Sequence, residues 1–313
     1  MFEWVPTHFR HTGKPRGRVE DLRRETTMRV GVVFPQTEIG ADVGAIAYYA
    51  KTVNELGFSH ILAYDHVVGA DLDVHPGKFL YDIDTTFHEL FVLFGYLAGV
   101  VPQLELVTGV LVLPQRPAVL VAKQAAQIDL MTCGRFRLGV GVGWNAVEFE
   151  ALGADFGNRG RRTDEQIELM RRLWTERSVT FEGQYHRLTA VGLTPKPFQR
   201  PIPVWMGARS APAYRRAGRV ADGWFPMVRP GPALDAALSE LRQAAVAAGR
   251  DPADIGMEAK LDWKGDVNGL VSQADLWAAA GATHASINTM GAGLVTVDDH
   301  LAVLSEAADA VLK

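Results

Sequence analysis

Among the residues able to do chemistry, the adjacent pair Asp65-His66 has the plainest use in proton transfer. Histidine titrates near neutrality, and a carboxylate beside it can fix its tautomer. Neighbouring strand residues point to opposite faces, so the two need not touch, and a capping aspartate next to a structural histidine is the other reading. Gly207-Ala208-Arg209-Ser210 runs into Ala211-Pro212, a strand-to-helix junction with Ser210 placed as N-cap and Pro212 in the first turn. Small residues and unpaired N–H groups at a helix start attract a phosphate, and Arg209 adds a charge-assisted hydrogen bond. An ordinary turn can carry the same residues. In Gly139-Val140-Gly141-Val142-Gly143 the third glycine comes too early for a G-x-G-x-x-G nucleotide loop. The segment reads instead as a strand approached closely by other backbone, with Gly143 leaving room for a flat ring.

Other candidates are less specific. Trp144 and Trp224 stand at strand ends where they can wall a pocket for a planar ligand, and Glu148 lies one turn beyond Trp144. Lys260 can form a Schiff base or can be a solvated lysine beside Asp262. The nine histidines show no H-x-H or H-E-x-x-H spacing, which argues against a metal-dependent hydrolase, and no metal site is predicted.

These residues need a scaffold that gathers strand ends. From Met28 the chain alternates strand, loop and helix. Strands are predicted at Arg29–Pro35, Ser59–Tyr64, Leu104–Leu113, Arg135–Val142, Pro203–Met206, Asp222–Met227, Ile255–Leu261 and Thr283–Asn288. Helices fall between them, among them Thr85–Val101 and Thr163–Thr175, the latter opened by a capping box of Thr163 and Gln166. Strands apolar on both faces belong to parallel sheets covered by helices. Eight of them favour an α/β fold, a (β/α)8 TIM barrel, over an open doubly wound sheet. Residues 178–194 alternate around Glu182-Gly183 and read as a hairpin, a small insertion between helix four and strand five. In such a barrel the active site forms at the C-terminal strand ends, where the candidates above stand.

Composition narrows the class. A net charge of −4 gives no general reason to bind nucleic acid or anionic membrane. The single cysteine, Cys133, excludes an intramolecular disulfide and fits a reducing, cytoplasmic setting. No apolar run approaches the ~20 residues that span a bilayer. Residues 1–27 are basic and poor in apolar side chains, and read as a disordered or loosely attached extension; residues 28–313 read as one barrel domain.

The segments GFSHILAYDH (57–66), TGVLVLPQRP (108–117), RFRLGVGVGWNAVEFEALG (135–153), RGRRTDEQIELMRRLW (159–174) and PIPVWMGARSAPAYRRAGRVADGW (201–224), in that order, resemble the luciferase-like monooxygenase superfamily, and most of all its branch that uses the deazaflavin coenzyme F-420. The resemblance implies a flavin or deazaflavin ring over the C-terminal strand ends, with Asp65 and His66 near it and His66 as proton donor. It implies that Gly109, Val110 and Val112 support the ring face, where relatives often hold a cis peptide bond. It places Val142 and Gly143 along the ring or tail, and Gly207, Ala208, Arg209 and Ser210 around the phosphate. Trp144, Glu148 and Trp224 are expected to line the substrate pocket. Coenzyme F-420 is the expected cofactor and FMN the alternative, with a small molecule as substrate and room for a homodimer.

Two departures matter. Some deazaflavin-dependent sugar dehydrogenases have a catalytic glutamate where this chain has Trp144, and several relatives have consecutive glycines where it reads Ala208-Arg209-Ser210. The expectation is an oxidoreductase exchanging hydride with an organic substrate. A cofactor-binding barrel without turnover, an FMN-dependent monooxygenase and a Lys260 lyase are the alternatives.

Overall fold

The computed structural model describes residues 28–312 apart from positions 76 and 78; the basic segment 1–27 lies outside the described residues. In chain order the elements are β1 (Arg29–Val33), α1 (Gln36–Ile39), α2 (Val43–Glu55), β2 (His60–Ala63), α3 (Leu90–Val100), β3 (Glu105–Thr108), β4 (Leu111–Val112), α4 (Ala118–Met131), β5 (Phe136–Gly141), α5 (Ala146–Ala151) and α6 (Arg159–Thr175). They continue with β6 (Val179–Glu182), β7 (Arg187–Val191), β8 (Val204–Ala208), α7 (Ala211–Val220), β9 (Gly223–Pro226), α8 (Pro232–Ala247), β10 (Gly256–Asp262), α9 (Val267–Ala279), β11 (His284–Asn288) and α10 (Val297–Val311).

All barrel pairings are parallel. β1 pairs with both β2 and β11, and the ring runs on through β10, β9, β8 and β5 to β3, which returns to β2. The sheet is closed, as a (β/α)8 barrel requires. β6 and β7 form a separate antiparallel hairpin, the expected insertion.

Three local expectations are corrected. The third strand is not continuous: the Gly109–Val110 peptide bond is cis, which divides it into β3 and β4. The second helix starts at Leu90, not Thr85, because Glu89 takes the N-cap and accepts the Val92 N–H. The capping box of Thr163 and Gln166 does not exist, since α6 begins a turn earlier at Arg159. Thr163 Oγ1 donates back to the Arg159 carbonyl, and Gln166 Nε2 reaches the Arg116 carbonyl.

Outward-facing residues pack under the helices, as Ala259 and Leu261 of β10 do. The interior is layered. At the N-terminal strand ends it holds a charged plug. Arg137 donates to Glu105 at 2.9 Å and to Glu258 at 2.7 Å, and its guanidinium lies 4.5 Å from the Trp205 ring. His60 Nε2 meets Glu258 at 2.9 Å, and Arg29 pairs with Glu105 at 3.0 Å. Above the plug sits an apolar layer of Val33, Leu62, Val107, Trp205 and Phe225, against which the half-buried Tyr64, Val110 and Met290 pack. That layer floors the open, C-terminal end of the barrel. No helix among the described residues is long and apolar enough to cross a membrane.

Candidate active site

β2 delivers Asp65 and His66 to the open end, and they turn opposite ways, as neighbours on an extended chain do. Asp65 Oδ2 accepts the Val112 N–H at 2.9 Å and Oδ1 accepts from Arg116 Nη2 at 2.7 Å. Arg116 continues to Glu89 at 3.0 Å. Burial raises the Asp65 carboxyl above its usual range, outweighing the lowering by Arg116 and the Val112 amide. Asp65 therefore ties β2 to the chain just past the cis bond and does not orient His66.

Glu148 orients His66. It stands in the first turn of α5, whose start Asn145 caps by accepting the Val147 and Glu148 N–H groups. His66 Nδ1 lies 3.3 Å from Glu148 Oε2, which also accepts from Gln115 Nε2 at 3.1 Å, while Oε1 accepts the Val67 N–H at 2.6 Å. Burial alone would raise this carboxyl, but the hydrogen bonds from His66, Val67 and Gln115 prevail and hold it below the usual value. An anionic acceptor at Nδ1 assigns the ring proton to that nitrogen and leaves Nε2 without a partner among the described residues. Glu148 is 1% exposed. Its expected place in the substrate pocket is corrected: it stands behind His66. The His66 ring is bordered by Tyr81 at 5.1 Å, Phe87 at 4.8 Å and Trp144 at 5.7 Å, and Trp144 is exposed.

Trp224 is also corrected. It lies on the outer face of β9, fully buried against Tyr214 of α7, because strand alternation gives the inward position to Phe225. Ala208 likewise faces outward and is buried, and Val142 is half-buried just after β5.

The remaining candidates converge on residues 109–112. Gly109 packs on Leu62 so tightly that a Cβ would stand 2.2 Å from it. Val110 projects between Gly141 and Gly207, where added Cβ atoms would lie 2.5 and 3.3 Å from it. Gly143 adopts φ +75°, and a Cβ there would come within 2.6 Å of Val112. The wall formed by β5 and β8 thus carries no side chain at Gly139, Gly141 or Gly207, and Phe225 and Val110 take the space that side chains there would fill.

At the rim, Ser210 is the N-cap of α7 in extended conformation, and its hydroxyl makes no capping hydrogen bond. The first N–H groups of any helix lack intrahelical acceptors. Arg209 and Ser210 are exposed. The start of α6 lies alongside, since a Cβ on Gly160 would meet Arg216 of α7 at 2.8 Å. Arg162 of that turn has a buried Nε without a partner, and neither Arg162 nor Arg209 pairs with a carboxylate among the described residues. An unused cap hydroxyl, free helix amides and the exposed Arg209 suit an anion.

Sequence reasoning missed Glu89 and the aromatic residues Tyr81 and Phe87. Arg116 and Gln115 were visible as residues following the third strand, but nothing in their spacing names their partners.

The fold and this end of the barrel define a (β/α)8 protein with its His66–Glu148 pair at the C-terminal strand ends. The model of the luciferase-like monooxygenase family matches residues 28–261, and the chain belongs to that family. A protein of Mycobacterium tuberculosis described only as uncharacterised is 41% identical over 139 residues, 44% of this chain and 48% of that one. The FMNH2-dependent dimethylsulfone monooxygenase of Pseudomonas putida is 34% identical over 166 residues, 52% of this chain and 46% of the enzyme. The chain thus spans about half the length of the curated relatives it matches. Among solved structures, the monooxygenase RslO1 from Streptomyces bottropensis superposes with TM-score 0.75 at 21% identity, covering 91% of this chain and 99% of that one. An F-420-dependent secondary alcohol dehydrogenase in complex with an F-420–acetone adduct superposes with TM-score 0.75 at 17% identity and the same coverages, 91% and 99%. Both share the fold.

Proposed function

We propose that this protein is a flavin- or deazaflavin-dependent oxidoreductase that moves hydride to or from a small organic substrate, with coenzyme F-420 preferred to FMN. The observation that carries the reading is the His66–Glu148 pair at the C-terminal strand ends, with the His66 Nε2 free of any partner among the described residues. When bound, the cofactor would supply the two-electron chemistry; the protein supplies position and proton management. Val110, packed against Gly141 and Gly207, would support one face of the ring. Ser210, the α7 amides and Arg209 would hold the phosphate. His66 would exchange a proton with the substrate oxygen at Nε2, and Glu148 would keep the Nδ1 proton in place and stabilise the imidazolium. Trp144 and Tyr81 would shield the reacting atoms from water.

FMN is the second reading, favoured by the 34% identity to an FMNH2-dependent monooxygenase. Titrating the purified protein with F-420 and with FMN, following cofactor fluorescence, separates them. Saturable binding of F-420 alone, followed by substrate-dependent change of its absorbance, is the expected result. Binding of neither cofactor overturns the proposal.

A further inference from the structure

The two sides of the barrel mouth differ. β5 and β8 present glycines, whereas β10 and β11 present polar side chains that neither the proton pair nor the phosphate rim uses. Glu258, Lys260 and Asp262 alternate along β10 on its inward face, with Glu258 buried in the charged plug. Two residues above it, the Lys260 side chain is 52% exposed. An inward-facing lysine so exposed on a barrel strand stands in an open lumen. Its Nζ donates to Asp262 Oδ1 at 3.0 Å, and the same oxygen accepts from Asn288 Nδ2 at 2.9 Å. Asp262 divides one oxygen between two donors, and its backbone N–H is anchored to Gln273. The ammonium keeps two N–H bonds free. Beside it, β11 offers only the neutral Ser286 and Asn288 on the inward register.

We infer that Lys260 is a specificity residue that binds a carboxylate on the substrate, so that this enzyme acts on organic acids rather than on neutral alcohols or ketones. The inference rests on the proposed oxidoreductase reading for its consequence in catalysis, and on the geometry of β10 for binding. A charged hydrogen bond discriminates between a carboxylate and its neutral isostere.

Calorimetric titration with benzoate and with benzamide, a compact acid and its neutral counterpart, tests this on wild-type protein, Lys260→Met and Lys260→Arg. Wild type should prefer benzoate, Lys260→Met should lose about tenfold or more of that affinity with benzamide unchanged, and Lys260→Arg should retain it. Unchanged melting temperatures confirm that the variants fold. Equal benzoate affinity in wild type and Lys260→Met, or no benzoate binding by wild type, overturns the inference. F-420 and FMN titrations of the same proteins keep the two readings apart. Loss of cofactor affinity in Lys260→Met with benzoate unaffected would assign Lys260 to the cofactor and overturn the substrate role. Failure of wild type to bind either cofactor sinks the oxidoreductase reading while leaving the benzoate comparison interpretable.

Discussion

Glu148 is buried as an anion because three donors surround it, and two of them, His66 and Gln115, are side chains of the site itself. Glu148→Gln keeps the volume and replaces the charge with an amide. The amide can present N–H to Nδ1 and select the wrong tautomer, much as removing the carboxylate from any histidine–carboxylate pair does. Turnover should fall about 100-fold with cofactor affinity unchanged, and its pH profile should move because the imidazolium loses its counter-ion. Steady-state rates across pH alongside cofactor titration check this; an unaltered profile would remove Glu148 from the proton path. Asp65 makes a different demand. Its partner Arg116 is largely buried and keeps only Glu89 when Asp65 is neutralised. Because burial already opposes the Asp65 charge, Asp65→Asn should cost only about 1 kcal/mol, the loss of its hydrogen bonds, read as a slightly lower midpoint in urea unfolding. Glu148 also marks what sequence reading could not reach. Asp65 and His66 were legible from their place at a strand tip, but the carboxylate serving His66 stands 82 positions away and is brought there by closure of the ring.

Elements were legible where a signal was local. The parallel strands announced themselves by continuous apolar runs, the hairpin by alternation, and α7 by Ser210 and Pro212. Where two signals competed, the structure took the longer-range one. The box written in Thr163 and Gln166 yields to a helix start at Arg159, which frees Gln166 to hold the Arg116 carbonyl. Trp224 was assigned to the mouth by its proximity to a strand end, but alternation turns it under α7. The N-cap of α7 gives a prediction that separates stability from binding. A serine cap usually contributes about 1 kcal/mol through its hydroxyl. Ser210 makes no such bond, so Ser210→Ala should leave the melting temperature unchanged. If the hydroxyl instead serves a phosphate, cofactor affinity should weaken about tenfold. A drop in stability with affinity intact would mean that the hydroxyl caps the helix in solution. Gly143→Ala tests the neighbouring turn: φ +75° and the contact with Val112 should together cost about 1–2 kcal/mol.

For the molecule as a whole, the two barrel ends divide the work: one end is open and glycine-walled, the other is closed by charges that tie distant strands together. Arg137 holds Glu105 and Glu258, so β5, β3 and β10 depend on one guanidinium. These groups give the fold an acid response whose sign can be worked out. Burial would raise Glu105, but Arg137, Arg29 and the two nearby histidines lower it to about 2, and Glu258 is held well below its usual value by Arg137 and His60. Both carboxylates contribute stability that is present above the unfolded value of 4.5 and is lost as pH falls toward their folded values. Burial and Arg137 keep His284 neutral well below 6.5, so the unfolded chain takes up that proton first and stability begins to decline below 6.5. Asp65, raised by burial, acts in the opposite sense and only moderates the slope. The melting temperature should therefore be flat above neutrality and fall by roughly 5 °C or more between pH 6.5 and 4. Replacing His284 with Gln should remove the upper part of that decline, between 6.5 and 5, and leave the carboxylate part in place. A variant that kept the full decline would show that the plug takes up its protons elsewhere, and that the closed end is not the source of the barrel's acid sensitivity.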